Sequence, residues 1–217
     1  MKRIVAIDGP AGAGKSTVAK IVAERLGYTY IDTGAMYRAV AWKTLRHDGA
    51  VTDAAILHAV RDIDVQLSAV SGTLHVTVDG TDVTGEIRSP EVTHIVSRVA
   101  ALGPVREKMV ELQRAMAASG KVVMDGRDIA TNVLPNADVK VFLSASVEER
   151  ARRRCKEMQA KGYDVDLDEL QKEIAARDKQ DRERAISPLR KADDAVLIDS
   201  TGLSIEAVVE RILELCA

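Results

Sequence analysis

Short apolar runs alternate with longer amphipathic stretches along most of the chain. Ile4 to Ile7 reads as a buried strand, and Lys15 to Leu26 as the helix that follows it. Tyr28 to Ile31 is a second strand, leading into a helix that runs through about Arg46. Lys121 to Met124, Val139 to Leu143 and Val196 to Ile198 complete the expected central strands. This order predicts a three-layer α/β fold, a central parallel sheet with helices on both faces. Ser146 and Glu149 have the spacing of a capping box, opening a helix that carries an arginine cluster. Ser204 starts a C-terminal helix whose apolar stripe is Ile205, Val208, Val209, Ile212 and Cys216.

Two segments break the alternation. From Val65 to Val83 the period becomes strand-like, with turn residues at Ser71-Gly72 and Asp79-Gly80. His75, Thr77 and Asp79 alternate with Leu74, Val76 and Val78, as half-buried antiparallel strands require. From Lys156 to Arg184 the chain is charge-dense and helical, interrupted at Gly162, a pattern that also describes a solvated surface hairpin. The expected organisation is a core of residues 1–62, 86–150 and 185–217, a small antiparallel β insertion over 63–85, and a short helical lid over 151–184.

Composition narrows the class. With 46% hydrophobic and 29% charged residues the chain is an ordinary globular one. A net charge of −2 argues against binding to nucleic-acid polymers or to a membrane surface. Its arginines nevertheless cluster at Arg150 to Arg154 and Arg177 to Arg184, which suits a small anion. Cys155 and Cys216 have no metal or disulfide spacing, and the histidines are scattered, so no zinc site is expected. A glycine-rich loop begins by Gly9, which leaves no room for a cleavable signal, and no stretch has transmembrane length. A cytosolic monomer is the expectation.

That loop carries the strongest chemistry. Gly9-Pro10-Ala11-Gly12-Ala13-Gly14-Lys15-Ser16 fits G-x-x-x-x-G-K-[ST], between an apolar strand and an amphipathic helix, with Thr17 next in line. The glycines let backbone N–H groups converge on phosphate oxygens, and the helix N-terminus adds its positive dipole end. Lys15 can reach the β- and γ-phosphates, and the Ser16 hydroxyl can ligate Mg²⁺. Such a P-loop specifies a nucleoside triphosphate and leaves the acceptor open. No guanine-reading N-K-x-D is present, and Asp82-Val83-Thr84-Gly85 falls in the β insertion rather than after a central strand. A small-molecule kinase remains, which needs a second anion pocket and a cover that excludes water. A regulatory nucleotide switch is the alternative from another class.

Candidate residues for that pocket follow the other strands. Asp32-Thr33-Gly34-Ala35-Met36-Tyr37-Arg38 comes after the second strand, where ligand crevices of α/β sheets form. Asp125, Gly126, Arg127 and Asp128 come straight off the third, although a surface ion pair would use the same residues. Arg177, Asp181 and Arg184 share one helix face, and either a salt-bridge ladder or a binding face has that spacing.

Together these segments resemble the bacterial cytidylate kinases, of the nucleoside monophosphate kinase group. The resemblance runs nearly end to end: I-D-G-P-A-G-A-G-K-S-T, D-T-G-A-M-Y-R, T-G-E-I-R-S-P-E-V, S-R-V-A-A, P-V-R, D-G-R-D, E-E-R-A-R-R-R and R-D-x-x-D-R-x-R-A. Shikimate and adenylate kinases share the first motif but not the rest. The resemblance implies phosphorylation of CMP and dCMP by Mg-ATP, UMP being the nearest alternative acceptor, and makes the β insertion part of the monophosphate-binding region. It implies that Thr33, Tyr37 and Arg38 line the monophosphate pocket, and that Ser97, Arg106 and Asp128 face cytosine. Arg177 and Asp181 would lie near the pentose, and Arg127 and Arg184 near the acceptor phosphate or the transferring group. Arg150, Arg153 and Arg154 share a helical face beside the lid, and the resemblance assigns lid arginines, here Arg150 and Arg154, to the ATP phosphates. Arg152 points off that face, and position 180 is Gln where the pattern has room for a charge. Base polarity supports cytosine: a carboxylate such as Asp128 accepts from its N4 amino group, which uracil lacks.

Overall fold

A computed structural model describes residues 4–46, 50–70, 73–160 and 162–217. Its central sheet has five strands: β1 (Ile4–Asp8), β2 (Thr29–Asp32), β6 (Val122–Gly126), β7 (Val139–Ser144) and β8 (Val196–Asp199), in the order β2-β6-β1-β7-β8. β1 pairs in parallel with both β6 and β7, and its Val5, Ala6 and Ile7 are wholly buried. A strand covered on both faces reads as a continuous apolar run, which is why its sequence gave no alternation. The strands lie within a residue or two of their expected limits; β2 begins at Thr29 rather than Tyr28, and β6 at Val122 rather than Lys121.

Two compact units divide the chain, one comprising residues up to Tyr30 together with Ala117–Ala217, the other Ile31–Met116. In the first, α1 (Lys15–Leu26) and α8 (Ile205–Cys216) pack on the sheet through Val18, Val22, Val208, Val209 and Ile212. Cys216 joins that core, but Ile205 is 53% exposed. Ile205 is the first helical residue after the Ser204 cap, and burial along the stripe begins one turn later, at Val208. α6 (Val147–Ala160) and α7 (Leu167–Glu183) form a hairpin with its own small core of Ala151, Leu170 and Ile174. Only half of the capping box at α6 forms. Glu149 N–H donates to Ser146 Oγ at 3.1 Å, whereas Ser146 N–H donates to Thr201 Oγ1, and the Glu149 carboxylate accepts from Arg153 Nε.

The second unit holds α2 (Thr33–Leu45), α3 (Asp53–Arg61), α4 (Pro90–Ala101), most of α5 (Gly103–Ala117) and the three-stranded antiparallel sheet β3 (Val65–Val70), β4 (Thr73–Val78) and β5 (Thr81–Asp82). Val78 pairs with Thr81 across Asp79 and Gly80, whose φ values of 51° and 81° make the two-residue turn that twists with its strands. The Ser71-Gly72 turn expected between β3 and β4 lies outside the described residues. Val65, Val76 and Val78 enter a core shared with Met36, Val40, Ile56, Val96 and Met109.

Candidate active site

The site of the first unit begins at the carboxyl end of β1. Gly9 leaves the strand so close to β7 that a Cβ added there would stand 1.9 Å from the Leu143 carbonyl oxygen. Only glycine fits. Gly14, at φ 89°, caps α1 without a side chain, whereas Asp32, Thr52, Ser89, Asp166 and Ser204 each cap their α-helix with a side-chain oxygen. The first-turn N–H groups of α1 are thus left to an anion.

Lys15 is buried and donates through Nζ to the Pro10 carbonyl at 2.7 Å. Burial pushes its ammonium down to about 7, with Arg127 adding repulsion against the attraction of Asp125, Asp8 and Asp181. Ser16 Oγ donates to Asp125 Oδ2 at 3.1 Å, and Tyr30 Oη donates to Asp125 Oδ1 at 2.8 Å. Among the described residues no group of three or more His, Cys, Asp or Glu side chains converges on a metal position. A hydroxyl and a carboxylate side by side suit a hard divalent cation that takes its other ligands from phosphates and water.

Asp8 and Gly126 are register partners on β1 and β6, so the P-loop and the residues after β6 leave the sheet side by side. Asp8 is buried and accepts from the N–H groups of Ile129 and Ala130, both at 2.8 Å. Those two residues open a π-helical turn, Ile129–Val133, directly after Arg127 and Asp128. Burial pushes the Asp8 carboxyl up to about 6 despite those two donors.

Arg127 and Asp128 do not pair with each other. Arg127 Nε donates to Asp181 Oδ2 at 2.9 Å, and Arg184 Nη2 approaches Asp128 Oδ1 at 3.4 Å. Asn132 Nδ2 also donates to Asp128, at 3.1 Å. Asp181 is therefore tied to the end of β6 instead of forming a ladder along α7, while Arg184 sits at the helix end and turns back toward Asp128. Burial pushes Asp181 up, but the Arg127 guanidinium, with Arg177 and Arg184 beside it, outweighs burial and holds the carboxyl below its usual range. Arg177 is pushed down to about 10 by burial and by Arg127, and its Nε has no hydrogen-bond partner among the described residues. Arg154 is half-buried and adds to the field on Arg177. Arg152 and Gln180 are exposed.

In the second unit, Asp32 caps α2 by accepting from Ala35 N–H at 2.9 Å, and Thr33 is buried one residue on. Tyr37 lies one turn further along, with the Arg106 guanidinium 5.5 Å from its ring centre. Arg106 donates to the Ala100 carbonyl at 3.2 Å, and Arg38 donates to Thr93 Oγ1 at 2.8 Å. Ser97, half-buried on α4, is one turn beyond Thr93. The expected cytosine set is thus divided, Ser97 and Arg106 belonging to this unit and Asp128 to the first.

Asp8, Asp178 and Asn132 were absent from the candidate residues read from sequence, and Asp125 was read there as part of the acceptor pocket, not as the partner of Ser16. Asp8 carried a legible signal, a carboxylate closing a wholly apolar strand. Asp178 carried none, being one acid among many on a charged helix.

Comparison with known proteins identifies the family. The family model for cytidylate kinase matches residues 5–217. A cytidylate kinase of Geobacillus sp. (strain WCH70) is 57% identical over 97% of this chain and 95% of its own. That of Geobacillus kaustophilus (strain HTA426) is 58% identical over the same shares. Among solved structures, a shikimate kinase from Bacteroides thetaiotaomicron shares the fold, with a TM-score of 0.52 at 16% identity, covering 100% of this chain and 99% of that one. A whole-chain match and relatives this similar over nearly their full length leave one conclusion: the chain belongs to the cytidylate kinase family.

Proposed function

We propose that the chain transfers the terminal phosphoryl group of ATP to CMP and dCMP, giving CDP and dCDP. Membership in the cytidylate kinase family is the observation that carries the acceptor. The Gly9–Thr17 loop binds the ATP phosphates with its N–H groups and with Lys15, whose charge the phosphates restore. Ser16 and Asp125 hold Mg²⁺, which when bound neutralises charge on the transferring group. Arg150 and Arg154 are the arginines of α6 assigned to the donor nucleotide, Arg150 just before and Arg154 within a lid segment spanning 151–184.

Thr33, Tyr37 and Arg38 receive the acceptor phosphate, and Ser97, Arg106 and Asp128 read the base. Arg177 and Asp181 take the pentose; the buried, unpartnered Nε of Arg177 supports a polar ligand beside it. Arg127 and Arg184 act on the group in transfer. Each already faces a carboxylate, so each arginine is oriented before substrate arrives and loses little freedom on binding. No general base is required, because the second ionisation of a phosphate monoester lies near pH 6 and the attacking oxygen is anionic at neutral pH. No helix of the described residues is long and apolar enough to cross a membrane, and we read the protein as a cytoplasmic monomer.

An ADP-release assay with ATP against CMP, dCMP, UMP, AMP and shikimate tests this reading. CMP and dCMP should be turned over fastest. Turnover of UMP as efficient as that of CMP would overturn the role given to Asp128, and ATP hydrolysis independent of any acceptor would overturn the kinase reading itself.

A further inference from the structure

Arg150 is among the largest fully buried side chains, and its guanidinium is taken up by protein partners. Its Nη1 donates to Asp178 Oδ1 at 3.0 Å and its Nη2 to Asp178 Oδ2 at 2.6 Å, a two-pronged pair between equally buried partners. Nε donates to the Ala145 carbonyl at 2.9 Å, and Nη1 also reaches the Ala11 carbonyl at 3.0 Å. Ala11 lies in the phosphate loop. Gly12, next to it, lies so near α6 that an added Cβ would stand 3.3 Å from Arg150 Cβ. One guanidinium therefore joins the loop, the chain just beyond β7, and α7, which bears Arg177 and Asp181 on either side of Asp178.

Stability alone is a weak reason for this arrangement. A buried ion pair spends most of its attraction on desolvation, and apolar residues of similar volume often serve as well or better. What an apolar pair cannot do is fix the position of a backbone carbonyl, whereas a planar fork does so with defined geometry. We infer that Arg150 and Asp178 are positioning residues for the donor loop: Arg150 acts on ATP through the Ala11 carbonyl, without touching the nucleotide, and Asp178 holds Arg150 in place. This rests on the reading of Gly9–Thr17 as the ATP loop and replaces a direct phosphate contact by Arg150 with an indirect one. It also fixes the base of the α6–α7 hairpin, so any movement of the 151–184 segment belongs to its far end.

The double variant Arg150→Met/Asp178→Leu tests the inference, because it removes both charges and keeps a filled core. Thermal unfolding, the KM values for ATP and CMP, and the Kd values for ATP and ADP are measured together. The expected result is a Tm within a few degrees of the parent and a KM for ATP raised about tenfold, the scale of one lost charge-assisted hydrogen bond. KM for CMP should change less than about twofold, and ATP and ADP should weaken by the same factor, since the loop holds both. Unchanged ATP affinity in the folded double variant would overturn the inference. So would a loss confined to ATP with ADP untouched, which marks a direct contact with the terminal phosphate. Should the double variant not fold, Arg150→Lys and Asp178→Asn are read by the same KM split, and equal rises for ATP and CMP would count against positioning. Failure of the parent enzyme to bind ATP would refute the functional reading instead, so the two failures are distinguishable.

Discussion

Lys15 links the structure of the loop to a proton count. In the free protein its ammonium is buried, donates to the Pro10 carbonyl, and is pushed down to about 7 by burial and by Arg127. Phosphate oxygens beside it favour the charged form and restore an ordinary lysine. Nucleotide binding must then take up a proton wherever free Lys15 is neutral. At pH 8 a group with a pKa of about 7 is roughly one-tenth protonated, so binding takes up about 0.9 proton, and at pH 6 only about 0.1. Calorimetric titration of a non-hydrolysable ATP analogue, in buffers of different ionisation enthalpy, reads that number as the slope of observed enthalpy against buffer enthalpy. Lys15→Met should abolish the slope at pH 8, which separates Lys15 from neighbouring carboxylates such as Asp8. A slope of zero for the parent protein at pH 8, with binding intact, would refute the argument that burial holds Lys15 near neutrality. In the free protein the same shift makes stability rise between about pH 7 and 10, because unfolded Lys15 keeps a proton there that the folded one has lost.

Gly9→Ala forces a Cβ into the Leu143 carbonyl and should cost at least about 3 kcal/mol, seen as a lower midpoint in urea or as loss of soluble protein. Asp8 has a folded pKa of about 6 against 3.8 for the free group, so its contribution is fully present below the lower value and fades as pH rises through the upper. The stability difference between the parent and Asp8→Asn should therefore shrink from pH 4 to pH 7 in denaturant titrations, and a pH-independent difference would contradict this. Ser204→Ala removes the oxygen that accepts from Ala207 N–H at the start of α8, and should lower stability by about 1 kcal/mol with kcat unchanged.

Local patterns carried much of the fold. The Asp79-Gly80 turn, the Ser204 cap and the buried strand before Gly9 are each encoded by residues within a few positions of one another, and each formed as expected. The capping box at Ser146 shows the limit. Its spacing satisfied the local rule, yet Glu149 found a better partner in Arg153, and Thr201 took the Ser146 N–H from 55 residues away. Ile205 likewise fits a helical stripe by spacing, but at the first position of α8 it stays exposed while Val208, Val209 and Ile212 are buried.

The same division applies to the candidate site. By itself, the sequence determined that a P-loop follows a buried strand, that an antiparallel β segment interrupts the α/β alternation, and that arginines gather in two helices. Motifs compress their chemistry into adjacent positions, so a linear reading recovers them. Only the tertiary structure decided which acid each arginine meets: Arg127 with Asp181, Arg184 with Asp128, and Arg150 with Asp178 and the Ala11 carbonyl. Helix spacing allowed Asp181 a ladder along α7, and charge alone could not choose between that and a partner 54 residues away. The choice follows from burial, because a carboxylate enclosed by packing must pair with whatever cation the sheet brings within reach, and that distance is not written in sequence order.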